Sequence, residues 1–201
     1  MSSHGSIAEA NVAAADDAAL LVAAAAGRPQ AFAEIVNRYY QPVYRLVWRM
    51  TAGHADAEDI AQEAFVKLWQ NPAQVREPGA LKGWLMRVAS NAVIDRSRRR
   101  PHQGLDETPE IVDHRPSQDA GLLRDTAVSE IDRRIAALPE RQRLALTLVY
   151  YEGLSNIDAA VVMEASVEAV ESLLTRARRG LKDSLSGQWR DLLDGLNAAG
   201  A

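Results

Sequence analysis

The sequence predicts an all-α protein: two small helical domains joined by an acidic, flexible linker. Three observations predict it. Apolar residues recur at steps of three and four along most of the 201 residues, and no alternating strand pattern interrupts them. Residues 101–122 break the rhythm with three prolines, two glycines and several acids. Alanine and leucine are plentiful while aromatic residues make up only 5%, a composition that favours helices. The expected organisation is a disordered extension over 1–15, a first domain over 16–100, a linker over 101–124, a second domain over 125–185 and a tail over 186–201.

Each element has its own signal. Asp17 is expected to cap a short helix that ends before Gly27, and Pro29 suits the first turn of the next. Phe32, Ile35, Tyr39, Val43, Leu46, Val47 and Met50 keep helical spacing, with Pro42 expected to kink or interrupt them. Asp56 is expected to cap a helix bearing Ile60, Ala61, Ala64, Phe65, Leu68 and Trp69 on one side. NPAQVREPG, residues 71–79, reads as a loop. A helix from near Ala80 to Arg100 packs Leu81, Trp84, Leu85, Val88 and Ala92 inward, and Pro101 ends it. Beyond the linker, Val128, Ile131, Ile135 and Leu138 share a helical face. Pro139 opens a further helix with Leu144, Leu148 and Val149 inward and Gly153 as its stop. Ser155, with Asp158 three residues on, starts a short helix, and Ser166 starts another eleven residues later. A tight turn at Glu164–Ala165 between them gives helix-turn-helix spacing, or a plain helical hairpin.

Composition narrows the function. The chain has no cysteine, so disulfides and thiolate metal sites are excluded and a reducing compartment fits. Its four histidines are scattered and share no ligand spacing. No segment approaches the ~20 apolar residues of a membrane span, and the alanine-rich N-terminus lacks the basic region of a secretory signal. The net charge is −4, but it is unevenly spread. From Lys82 to Arg100, six bases face one acid; from Pro101 to Glu130, two bases face seven acids. A second basic cluster follows at Arg176, Arg178, Arg179 and Lys182. Screening confines each charge to about 8–10 Å in physiological salt, so a local basic patch can hold phosphates on an acidic protein.

Arg87, Asn91, Asp95 and Arg98 fall on one face of their helix. Asn can pair with base edges and Arg with phosphates or guanine, and Asp95 is placed for a helical ion pair with Arg98 or Arg99. A solvated cationic helix end is the plainer alternative. The run Arg98, Arg99, Arg100 exceeds what an end needs and favours nucleic acid. Asp56, Asp59, Gln62 and Glu63 form a polar stripe that suits a basic protein surface better than DNA, if it is more than a solvated face. No Gly-rich phosphate loop, nucleophile elbow or His-containing nucleophile arrangement is present, so no enzyme and no cofactor are expected.

Three segments in order, ADAEDIAQEAFVKLWQNP, GALKGWLMRVASNAVIDRSRRR, and LPERQRLALTLVYYEGLS followed by SVEAVESLLTRARRGL, resemble the bacterial sigma-70 family, in its extracytoplasmic-function group. The resemblance runs from about Asp16 to Leu185. It implies a sigma-2 domain over 16–100 and a sigma-4 helix-turn-helix domain over 125–185. It also implies an alternative sigma factor that binds core RNA polymerase, directs it to promoters and is held by an anti-sigma protein in the cytoplasm. Asp56, Asp59, Gln62 and Glu63 match the family's surface for the clamp helices of the largest polymerase subunit. The loop from Asn71 to Pro78 matches the loop that captures a flipped minus-ten base. Trp84, Arg87, Asn91, Asp95, Arg96, Arg98, Arg99 and Arg100 match the helix that meets the minus-ten DNA. Ser166, Glu168, Ala169, Glu171, Ser172, Arg176, Arg178 and Arg179 match the minus-thirty-five recognition helix, and the second domain is also expected to meet the polymerase flap.

One stretch departs from that pattern. Where the family often has Gly-Thr-Val-Lys-Ser-Arg, this chain has Glu168, Ala169, Val170, Glu171, Ser172 and Leu173, and its turn carries Glu164 in place of the usual glycine. The promoter letters of relatives therefore do not transfer, and binding there is expected to lean on Arg176, Arg178 and Arg179 through phosphates. Two other classes fit parts of the chain. A stand-alone helix-turn-helix regulator leaves residues 56–100 unexplained, and a sigma-mimicking adaptor would bind without initiating transcription. Beyond Leu185, Trp189, Leu192, Leu193 and Leu196 suit a short amphipathic helix, either a flap on the second domain or a contact for a regulator.

Overall fold

A computed structural model describes residues 14–53, 56–75, 77, 80–99 and 131–199, with side chains described through 184. The chain divides into two compact units, Met1–Glu107 and Thr108–Ala201. Every regular element among the described residues is helical, so the protein is all-α. The expectations for residues 1–13 and for the linker, together with Val128 and Arg100, lie outside the described residues.

Unit 1 contains α1 (Asp17–Ala25), α2 (Pro29–Met50), α3 (Ala57–Gln70) and α4 (Leu81–Arg99). Helix α2 is the hub and packs on the other three, while α3 also packs on α4. Ile35, Val43, Leu46 and Val47 of α2 meet a core shared with Leu20, Ile60, Leu68, Leu81 and Leu85, all essentially without solvent contact. Each such side chain contributes roughly 1.5–3 kcal/mol by its burial. Ala57, Ala61 and Ala64 are equally buried and give α3 a small-residue face that lets neighbouring backbones come close.

Four expectations change here. The cap of α1 is Asp16, whose carboxylate accepts from the Ala19 N–H at 2.8 Å. Asp17 instead lies in the first turn and accepts from the Tyr39 hydroxyl at 2.5 Å and from Arg38 at 3.5 Å, tying α1 to α2. Pro42 does not interrupt α2, which runs unbroken for 22 residues. A proline removes one donor from the ladder, and the buried side chains on both sides of it hold the two halves in line. The inward stripe of α4 is Leu81, Trp84, Leu85, Met86, Ala89 and Val93, with Val88 and Ala92 only half-buried. Trp69, expected on the buried side of α3, is 46% exposed.

The described part of unit 2 opens with helical residues 131–136 (α5), in which Ile135 is buried and Ile131 exposed. Helix α6 (Glu140–Leu146) follows Pro139 and widens into a π turn at Thr147–Tyr151, which apolar spacing does not announce. Gly153 then takes φ +69°, the left-handed geometry that lets the chain turn away. Helices α7 (Asn156–Val162) and α8 (Val167–Ala199) complete the unit, with α8 packed on both α6 and α7. The tail is therefore no separate helix: α8 continues unbroken to Ala199. The side chains of Trp189, Leu192, Leu193 and Leu196 lie outside those described.

Candidate nucleic-acid and protein interfaces

Helix α3 of unit 1 is built with two faces. Its small and apolar residues point inward, which leaves Glu58, Asp59, Gln62 and Glu63 exposed. The Gln62 side-chain amide donates to Glu58 at 3.1 Å, and Lys67 pairs with Glu63 at 2.9 Å. Asp56 departs from its expected role. It precedes α3, and its backbone carbonyl accepts from the Ile60 N–H, but its side chain makes no cap bond. The carboxylate lies 3.6 Å from the Arg96 guanidinium of α4 instead, linking the acidic end of α3 to the basic end of α4.

Beside the polar stripe, α2 and α3 leave a groove of about 490 Å³ that the sequence reading missed. Phe32, Val36, Tyr40, Phe65, Val66 and Trp69 line it, with Gln62 on its edge. Phe32 and Trp69 meet edge to face at 4.8 Å between ring centroids, and Tyr40 and Phe65 stand 6.0 Å apart. Burial pushes the Tyr40 phenol above its ordinary pKa, and the nearby Glu58 charge adds to that. The available signal was the run Phe65, Val66, Leu68, Trp69, too many large apolar residues for one buried stripe.

The loop after α3 is described through Val75 and at Glu77. Asn71 is exposed and ends α3, Pro72–Gln74 make one 3₁₀ turn, and Val75 is buried. Arg76, Pro78 and Gly79 lie outside the described residues.

On α4, Asn91, Asp95, Arg98 and Arg99 are exposed, while Arg87 and Arg96 are half-buried. The expected pairing of Asp95 with Arg98 or Arg99 is not found. The ion pair at this end is Arg96–Asp56, and pairs between exposed, solvated charges gain too little to fix their side chains. Arg98 and Arg99 make no ion pair among the described residues, so their charges face solvent. Trp84 is 7% exposed: its ring belongs to the core and sets the position of the helix.

Unit 2 forms a helix-turn-helix. The Ser155 hydroxyl accepts from the Asp158 N–H at 3.1 Å and donates to the Asp158 carboxylate at 2.6 Å, starting α7. The Ser166 hydroxyl accepts from the Ala169 N–H at 3.2 Å, starting α8. Between them Glu164 takes φ +48°, a left-handed geometry that costs a non-glycine residue about 1 kcal/mol. Val170, Leu174 and Ala177 are buried. Ser166, Glu168, Ala169, Glu171, Arg176, Arg178, Arg179 and Lys182 are exposed, and Ser172 is half-buried. The Glu168 carboxylate is held below its ordinary pKa by its own backbone N–H and by the Ser166 hydroxyl. Among the described residues the surface of α8 thus runs from acidic at its start to basic between Arg176 and Lys182.

No group of three potential metal ligands and no helix long and apolar enough to cross a membrane occurs among the described residues.

Two family models match the chain. Sigma-70 region 2 covers residues 35–102, and Sigma-70, region 4 covers residues 129–181. Curated relatives agree with them. The RNA polymerase sigma-H factor of Pseudomonas aeruginosa is 34% identical over 176 residues, which span 82% of this chain and 91% of that one. The ECF RNA polymerase sigma factor SigW of Bacillus subtilis is 32% identical, over 79% of this chain and 91% of that one. SigE of Mycolicibacterium smegmatis, also an ECF RNA polymerase sigma factor, is 31% identical over 76% of this chain; the match spans 61% of that longer relative. In fold the chain is similar to CnrH, solved with the cytosolic domain of CnrY, at a TM-score of 0.66 and 24% identity over 85% of this chain and 97% of CnrH. It is also similar to RpoE of Bartonella quintana, solved with the anti-sigma factor NepR, at a TM-score of 0.65 and 22% identity over 77% of this chain and 96% of RpoE.

Proposed function

Because the chain belongs to the sigma-70 family, in its extracytoplasmic-function group, we propose how its surfaces divide the work of transcription initiation. Unit 1 docks on the clamp helices of the largest subunit of core RNA polymerase through Asp59, Gln62 and Glu63 and the neighbouring aromatic groove. The carboxylates steer and orient a basic partner, and the groove supplies the apolar anchor sites in which binding energy concentrates. The Asp56–Arg96 pair holds the start of α3 against the end of α4.

Helix α4 meets the minus-ten DNA. Arg98 and Arg99 hold phosphates, Asn91 meets a base edge, and Arg87 and Arg96 support the strand as it opens. Asn71 places the loop that receives an unstacked base. In unit 2, Arg176, Arg178 and Arg179 anchor α8 to phosphates of the minus-thirty-five element, and the unit also meets the polymerase flap. The protein itself performs no covalent chemistry and takes no cofactor. It works in the cytoplasm, where an anti-sigma protein covers these surfaces until a signal releases it; both solved relatives described above were captured with a partner protein.

The observation that carries this reading is the pairing, in unit 1, of an aromatic groove bordered by Gln62, which bonds Glu58, with a helix end bearing solvent-facing arginines. A stand-alone DNA-binding regulator has no use for the first of these. The test is transcription in vitro with core RNA polymerase, genomic DNA fragments and start-site mapping. Start sites sharing upstream elements, absent with core alone, are expected. Core binding without initiation would point to a sequestering mimic, and neither activity to a stand-alone regulator.

A further inference from the structure

The first two turns of α8 carry acids where a phosphate-anchoring surface would carry bases. Glu164 in the turn and Glu168 and Glu171 on the helix are exposed, and the first cation of the helix is Arg176. In a helix-turn-helix these early positions meet base edges in the major groove. A carboxylate near the phosphates there weakens binding, so it needs a compensating contact with a base.

The three acids are not equivalent. Glu164 shapes the turn at φ +48°. Glu168 sits in the first turn of α8, beside the Ser166 hydroxyl that caps it through the Ala169 N–H. Glu171 lies one turn farther in, on the flank toward α7, where the Asn156 side-chain amide donates to its Oε1 in a long contact of 3.5 Å. A carboxylate offers two oxygens and about four lone-pair sites, so this contact orients Glu171 while leaving acceptor capacity for a ligand.

In the major groove, cytosine N4 and adenine N6 are the donors. Adenine N6 sits between two acceptors, its own N7 and the O4 of the paired thymine, and both repel a carboxylate. Cytosine N4 has such a neighbour on one side only, the guanine O6. We propose that Glu171 is a specificity-determining residue: its carboxylate, oriented by Asn156, accepts from the N4 amine of a cytosine. The minus-thirty-five element of this protein then carries a C·G pair at the step that Glu171 faces. This rests on the promoter-binding reading of α8 given above.

The test uses the full chain with core RNA polymerase on a promoter found by start-site mapping, its upstream element randomised and the transcribed templates sequenced. The wild-type chain is expected to enrich cytosine about tenfold at one position. Glu171→Gln moves that preference to adenine, because an amide pairs with N6 and N7 together. Asn156→Ala weakens the cytosine preference without changing the base. Both positions lie on the surface of folded helices, and a residue that only stabilised the fold would not move the preferred base. A wild-type chain without cytosine enrichment, or a Glu171→Gln variant that keeps it at full strength, overturns the proposal and leaves the sigma reading intact. Absence of any start site with the wild-type chain overturns both.

Discussion

Unit 1 and unit 2 handle opposite charges in different ways. Unit 1 largely separates them: Glu58, Asp59 and Glu63 stand on α3, where Lys67 pairs with Glu63, and Arg96, Arg98 and Arg99 end α4 beyond Asp95, with the Asp56–Arg96 pair linking the two helices. Unit 2 places both signs on α8, with Glu168 and Glu171 in the first turns and Arg176, Arg178, Arg179 and Lys182 after them. A separated arrangement serves two partners of different chemistry at once, a protein surface and a nucleic acid. A graded arrangement serves one partner whose edges differ, base donors at the helix start and phosphates further along.

The largest effect should come from breaking the protein side of unit 1. Trp69→Glu puts a charge into the aromatic groove at an exposed position, so the fold survives. Binding to core polymerase is expected to weaken roughly thirtyfold or more, read by competition with a labelled sigma factor. Next, Arg98→Ala combined with Arg99→Ala should leave core binding unchanged. It should weaken promoter-complex formation about tenfold, with the slope of log affinity against log salt reduced by about 2. Loss of core binding in that variant would show that the two signs of unit 1 do not serve separate partners.

In unit 2, Arg176→Ala should lower the salt slope by about 1 and weaken binding by a similar few-fold factor on every promoter variant. A change confined to one base would mean that α8 is not graded as described.

The smallest effect concerns how the units are tied together internally. Burial, then the bond to Asp17, pushes the Tyr39 phenol up to about 12. The folded value exceeds the ordinary 10, so the stability from this bond is fully present below pH 10 and is lost as pH rises from 10 through 12. Tyr39→Phe should remove that part of the alkaline decline at a cost of about 1 kcal/mol, the partial exposure of the site reducing its full value. Thermal unfolding against pH checks this.

Much of the fold was legible because its signals are local. Ser155 and Ser166 start their helices as their side chains require, Pro139 and Gly153 bound α6 and its π turn, and apolar spacing located α2, α3 and α4. The expectation about Pro42 failed because the local preference was outweighed by packing along a 22-residue helix. The cap at Asp56 failed because its carboxylate found a cation forty residues away, which no local pattern registers. For the candidate sites, the acidic stripe and the basic end of α4 could be listed from charge alone, but the groove between α2 and α3 could not. It exists only where Phe32 and Val36 of one helix face Val66 and Trp69 of another.

By itself, the sequence determined the helical class, the break between two units, the membership carried by three ordered segments, and the acid-then-base order along α8. These follow from spacing and residue type within a few turns of chain. Only the tertiary structure decided that Trp84 is core and Trp69 surface, that Asp56 pairs with Arg96, that Tyr39 binds Asp17 across two helices, and that Asn156 lies beside Glu171. Which of two apolar residues is covered, and which of several charges finds a partner, depends on what the neighbouring helix brings within a few ångströms, and helix packing sets that distance.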